Sequence, residues 1–219
     1  MLLAIDTSLS AVGLALMRDA DSRPFAQSVV EMERGHAERL MPLLQDLLKD
    51  NHIFKKDIRK IAVTVGPGSY TGIRIGIAAA KTMGLALNAP VVGVSTLAAL
   101  AAPLLEKIQE RPIFAVINAR NDNIYIQSFN VQTPKMPELK NRFEFIKQNQ
   151  FKDVIFIGPE AKKMAFLAQD YGQNADYVDQ TNICDITFIA RLGWIATVET
   201  ATPLPLYLNT PSYKKLVNS

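Results

Sequence analysis

Val65-Gly66-Pro67-Gly68-Ser69-Tyr70-Thr71-Gly72-Ile73-Arg74-Ile75-Gly76 is the stretch of this chain whose residue types and spacing could do chemistry. It follows an alternating run, Ile61-Ala62-Val63-Thr64-Val65, that reads as a strand. It opens a run of small and apolar residues, ending near Leu87, that reads as a helix. A glycine-rich turn in that position leaves backbone N–H groups free at a helix N-terminus, which favours an anion. The same residues also suit a tight strand-to-helix connection with no ligand at all. A Walker loop is excluded, because no Gly-Lys-Ser/Thr follows, and the glycine spacing does not fit the dinucleotide fingerprint. Near the N-terminus, Thr7 and Ser8 carry hydroxyls able to donate to a phosphate. Asp6 beside them could cap a hairpin turn through its side chain.

The elements that position these residues follow from periodicity. Residues 2–6 read as an apolar strand, 12–17 as its antiparallel partner and 25–32 as a third strand. Leu40, Leu43, Leu44, Leu47 and Leu48 fit the apolar face of a helix over 37–50. Pro42 predicts that this helix starts near Leu40 or kinks there, since proline removes a hydrogen bond and crowds the preceding turn. A strand at 90–94 and an alanine- and leucine-rich helix at 96–108 complete the first half. The second half opens in the same way, with strands at 113–117 and 124–129 around the turn Asn118–Asn123. A polar link at 130–142 precedes a short helix. A strand at 153–157, a helix at 160–170, a short strand at 177–178 and an amphipathic helix at 186–198 follow. Two halves that each begin with a hairpin and continue into strand–helix units predict a duplicated α/β domain, divided into residues 1–108 and 109–219.

Within the helix that follows the glycine turn, Gly72, Gly76, Ala80 and Gly84 recur every four residues and line one face with almost no side-chain bulk. A glycine inside a helix costs about 1 kcal/mol relative to alanine, so the stripe needs a packing reason. Close contact with the protein's own sheet is one reason. Contact with a helix of another subunit is the other, and the one expected here. Arg74 and Lys81 exclude a membrane span.

The composition is that of an ordinary globular protein: 219 residues, 48% hydrophobic and 21% charged. A net charge of +3 is too small to argue nucleic-acid binding by itself, and the pairs Lys55-Lys56, Arg59-Lys60, Lys162-Lys163 and Lys214-Lys215 are scattered. The N-terminus reaches Asp6 too early for a signal peptide. Cys184 is the single cysteine, which forbids an internal disulfide, and Ile183 and Ile186 beside it mark a core residue. A cytoplasmic protein is expected. His36 and His52 have Leu40 and Lys56 at i+4, so neither forms a helical metal pair. No Gly-x-Ser-x-Gly elbow supports a serine hydrolase.

In Asp6-Thr7-Ser8, in the Gly66–Gly76 block, in Val94-Ser95-Thr96-Leu97, in Ala119-Arg120 with Ile124-Tyr125 and in Pro205-Leu206-Tyr207-Leu208, the chain resembles the TsaB (YeaZ-type) family over essentially its full length. These are bacterial tRNA threonylcarbamoyladenosine biosynthesis proteins, once described as glycoprotease-like. Asn118 stands where the family commonly has Asp, and Asn209 where an Arg often follows. The resemblance implies the actin/Hsp70/sugar-kinase-like fold, two ribonuclease-H-like subdomains around a cleft. In such folds the carboxylate ending the first strand faces a metal. Asp6, Thr7, Ser8, Gly66, Gly68 and Ser69 would then form a vestigial nucleotide site.

The family's catalytic relative, TsaD, carries a His-x-x-x-His metal pair, and those histidines fall on Thr96 and Leu100 here. A leucine cannot ligate a metal. The resemblance therefore implies a non-catalytic subunit with no cofactor or metal of its own. It would support TsaD, together with the P-loop ATPase TsaE, in modifying the adenosine 3′ to the anticodon. It implies pairing with TsaD through the first two helices, at Leu40, Leu43, Leu47, Gly72, Ile73, Gly76, Ile77, Ala80 and Gly84. With TsaD absent, it implies a homodimer through the same surface, and contact with tRNA that is indirect or weak. The alternatives are a small actin-like ATP-dependent phosphotransferase using Asp6 and the 66–76 turn, and a metallopeptidase.

Overall fold

The computed structural model describes residues 1–19, 23–108, 110–130, 135–179 and 182–208. Asn209, Lys214 and Lys215 lie outside the described residues. The apolar run at the N-terminus forms β1 (Leu2–Asp6), which pairs antiparallel with β2 (Ala11–Met17), and β2 with β3 (Ala26–Glu31). On the other side of β1, β4 (Lys60–Gly66) and then β5 (Val91–Ser95) add in parallel. The resulting order is β3-β2-β1-β4-β5.

The second half repeats this plan. β6 (Ile113–Asn118), β7 (Asn123–Phe129) and β8 (Glu138–Asn141) are antiparallel. β9 (Val154–Ile157) and β10 (Ala175–Val178) add in parallel to give β8-β7-β6-β9-β10. Both sheets therefore run third-second-first-fourth-fifth, and the expected duplication is a property of the topology. β8 falls within the stretch expected to be a polar link. It is a four-residue edge strand with no fully buried position, so it carries no apolar alternation to read.

Helices fill three layers around the sheets. α1 (His36–Asp50) and α2 (Tyr70–Leu87) cover one face of the first sheet, burying Leu40, Leu44, Ile73 and Ile77 with Leu3 and Ile5. α4 (Arg142–Gln148) and α5 (Ala161–Asp170) cover the outer face of the second sheet with Ile146, Met164 and Phe156. Between the sheets lie α3 (Thr96–Leu105) and α6 (Ile186–Ile195), where Leu97, Leu100, Ile186 and Ile189 share a core with Ala4, Ala62, Ile113 and Ala115.

Two expectations need correction. α1 does not start near Leu40; it begins at His36 and continues through Pro42 to Asp50. Five leucines buried on its inner face, at about 1.5–3 kcal/mol each, outweigh the roughly 3 kcal/mol that an interior proline costs. The division at residue 108 also fails for the end of the chain. α6 packs on β1, β2 and β4 of the first sheet, and a Cβ at Gly193 would collide with Ala62. Beyond it the chain straps the same sheet, with Gly93 N donating to Ala201 O at 2.8 Å and Leu206 N to Val65 O at 2.8 Å. The face of the first sheet opposite α1 and α2 is apolar, and the stripe Ile186, Ile189, Ala190 is what covers it.

Candidate functional site

Asp6, at the end of β1, is buried, and its Oδ1 accepts three hydrogen bonds. They come from Ser8 N at 2.9 Å, Ser8 Oγ at 2.7 Å and Thr64 Oγ1 at 2.8 Å. Thr7 Oγ1 donates to Gly72 O at 2.7 Å, and Ser69 N donates to Ser8 O at 2.7 Å. A Cβ at Gly68 would strike the Ser8 carbonyl, and one at Gly72 the Thr7 carbonyl. Glycine is required at both positions because one loop's backbone sits against the other's. Burial pushes the Asp6 carboxyl above its ordinary range; the bonds from Ser8 and Thr64, and the charge of His36, oppose that to a smaller degree. Cys184 lies in the same interior, and burial together with the Asp6 charge drives its thiol well up.

The structure thus brings together Asp6, Thr7, Ser8, Gly66, Gly68 and Ser69, as the nucleotide-site expectation requires, but turns them on one another. One of the free N–H groups expected at the start of α2 is also engaged, since Ser69 Oγ accepts from Gly72 N at 3.2 Å. Thr7 and Ser8 are fully buried, and a phosphate would have to displace bonds already made. The set locks one loop to the other. Thr96 and Leu100, one turn apart on α3, are buried, and no group of three His, Cys, Asp or Glu able to hold a metal occurs among the described residues.

The expected partner interface is corrected more sharply. Leu40, Leu43, Leu47, Gly72, Ile73, Gly76, Ile77, Ala80 and Gly84 are all buried within this chain. A Cβ at Gly76 would meet Thr7 Oγ1 and, at 3.3 Å, Val63 Cγ2; at Gly84 it would meet Val91 Cγ2 and, at 2.9 Å, Ala89 O. The stripe faces the protein's own sheet. α2 connects two adjacent parallel strands and must cross close above them, and the missing side chains permit that approach. The outward face of α2 carries Tyr70, Arg74, Ala78, Lys81, Thr82 and Leu85, with Leu85 87% exposed. On α1 the neighbouring exposed residues include Met41, Pro42 and Gln45.

Between the halves opens a cavity of about 570 Å³, whose walls include Ser8, Gly68 and Ser69 of the two loops, Glu33 just before α1, His36 at its start, Tyr70, Asn118 and Arg120 of the β6–β7 turn, and Tyr207 of the strap. In that turn Arg120, Asn121 and Asp122 all adopt left-handed backbone, at φ of 67°, 48° and 58°. Asn118 Oδ1 accepts from Arg120 N at 3.1 Å and so fixes the turn. Tyr207 stacks on Tyr70 with ring centroids 5.1 Å apart. Sequence reasoning missed this pair, because no local pattern relates residues so distant in the chain.

Comparison with known proteins decides the family. The family model for TsaD, tRNA N6-adenosine threonylcarbamoyltransferase, matches residues 30–191. The tRNA threonylcarbamoyladenosine biosynthesis protein TsaB of Bacillus subtilis (strain 168) is 30% identical over 177 residues, covering 77% of this chain and 75% of that protein. This chain belongs to the TsaB family. The Escherichia coli (strain K12) TsaB is 36% identical over 124 residues, 57% of this chain and 52% of the relative, so the match spans about half of that protein. Among solved structures, YeaZ from Pseudomonas aeruginosa superposes with a TM-score of 0.75 at 25% identity, over 94% of this chain and 99% of that one. Both the repeated sheet order and this superposition give the actin/Hsp70/sugar-kinase-like fold. No helix among the described residues is long and apolar enough to cross a membrane.

Proposed function

We propose that this TsaB-family chain acts in tRNA threonylcarbamoyladenosine synthesis as a non-catalytic subunit, supporting TsaD together with TsaE. The observation that carries this reading is the closure of the first-half phosphate loops. Gly68 and Gly72 press on Ser8 and Thr7, and Asp6 Oδ1 accepts from three internal donors. An actin-like phosphotransferase needs that carboxylate and those loops open to Mg²⁺ and phosphate. A protein that has turned them inward retains surfaces, and the surface available to TsaD is the outer face of α1 and α2 around Arg74, Leu85 and Met41. The same face serves self-association when TsaD is absent.

Co-purification with TsaD, followed by a tRNA modification assay with and without this chain, tests the reading. Stable association and modification that depends on both proteins are expected. Modification of tRNA by this chain alone, or robust Mg-ATP hydrolysis by it, would overturn the non-catalytic assignment.

A further inference from the structure

The cleft holds a set of groups that the closed phosphate loops leave unused. Arg74 lies over the Tyr70 ring with its guanidinium carbon 4.6 Å from the centroid, and Tyr70 lies against Tyr207 at 5.1 Å with 30° between the planes. Tyr70 and Tyr207 both line the 570 Å³ cavity and are 53% and 43% exposed. Among the described residues no aromatic ring other than Tyr70 packs on Tyr207. Glu33, Asn118 and Arg120 line the same cavity, and all three are exposed to solvent. The left-handed turn at 120–122 holds Arg120 at this wall.

We propose that this cleft receives a single unstacked nucleobase of RNA, which packs against the exposed Tyr70–Tyr207 ring pair. Stacking on an exposed ring suits any base, because every base has a π-face. The Asn118 amide and the Glu33 carboxylate of the cavity lining are groups of the kind that pair with base edges. The cavity volume falls within the range of about 300–1,000 Å³ typical of small-ligand sites. A triphosphate is disfavoured because the loops that would cradle it are closed. The choice of RNA rests on the proposed role in tRNA modification; the base-binding geometry does not.

Fluorescence anisotropy with a labelled single-stranded RNA of about ten nucleotides tests this, with AMP as competitor and TsaD co-purification run in parallel. Tyr207→Ala should weaken RNA binding about tenfold, and Tyr207→Phe should leave it near wild type. Arg120→Asn, which tolerates the left-handed backbone, should weaken binding and reduce its salt dependence. All three variants should still co-purify with TsaD. Wild-type protein that associates with TsaD but binds no RNA overturns this inference and leaves the subunit role intact. Equal binding by wild type and Tyr207→Ala, with Arg120→Asn also unchanged, overturns it as well. Displacement by AMP at RNA-like concentrations would assign the pocket to a free nucleotide instead.

Discussion

Thr7 Oγ1 donates to the carbonyl of Gly72 at 2.7 Å, joining the end of the first strand to the first turn of α2 across 65 residues of sequence. That bond ties the loop expected to bind phosphate to the helix expected to bind a partner.

Gly76→Leu should therefore destabilise the monomer. The new side chain would enter the space held by Thr7 and Val63, and overpacking of this kind costs about 1–3 kcal/mol. In a chain of this size that is a melting-temperature loss of roughly 2–12 °C. Thermal unfolding followed by circular dichroism is the measurement. An unchanged melt with weakened association would restore the intermolecular reading of the stripe.

Leu85→Asp is the complementary change. Leu85 is solvent-exposed, and surface substitutions away from special features stay within about 0.5 kcal/mol. Its melt should match wild type, while association with TsaD, or self-association without it, should weaken about tenfold or more. Sedimentation velocity on the two variants side by side distinguishes core from interface.

Asp6→Asn should alter the pH dependence of stability. Burial raises the Asp6 carboxyl above its unfolded value of 3.8 in the folded protein. A raised carboxyl contributes stability that is complete below the unfolded value and is lost as pH rises through the folded one. Asparagine keeps an oxygen acceptor for Ser8 and Thr64 but carries no charge. The difference in melting temperature, variant minus wild type, should accordingly grow with pH above about 4. A difference that stays flat across the acidic range contradicts the burial account.

Lys60 should be worth more than its position at a strand end suggests. Its Nζ donates to Trp194 O at 2.7 Å and Ala196 O at 2.6 Å, satisfying the last carbonyls of α6, where a cation also meets the helix dipole. Lys60→Met should cost about 1–3 kcal/mol, nearer the lower figure because the ammonium is partly exposed. Urea unfolding read from Trp194, the single tryptophan, reports on the docking of α6 directly.

Cys184 should be inert in the folded state. It is buried with its thiol driven up, so little thiolate exists near neutrality. Mass spectrometry after iodoacetamide treatment should show labelling in denaturant and almost none in buffer.

Much of this protein was legible in the order of its residues, for reasons local in origin. Apolar and alternating runs marked β1, β4, β6 and β7, the leucine spacing marked α1, and the hairpin-first order of both halves announced the duplication now seen in two sheets of identical strand order. The lone Cys184 among isoleucines was correctly read as core. Such features depend on which side chains recur at a period of two or of 3.6, and a linear string records periods. Tertiary structure alone decided what each marked face meets. Gly72, Gly76, Ala80 and Gly84 state that something approaches α2 closely, but small residues permit close approach without naming the neighbour, and the neighbour is the protein's own sheet. Likewise, Asp6, Thr7 and Ser8 are suited to holding a phosphate, yet the same donors and acceptor satisfy one another once Ser69 and Gly72 are folded onto them. The return of α6 to the first sheet and the stacking of Tyr207 on Tyr70 join residues far apart in the chain, and contacts of that range are set by the closure of the whole fold.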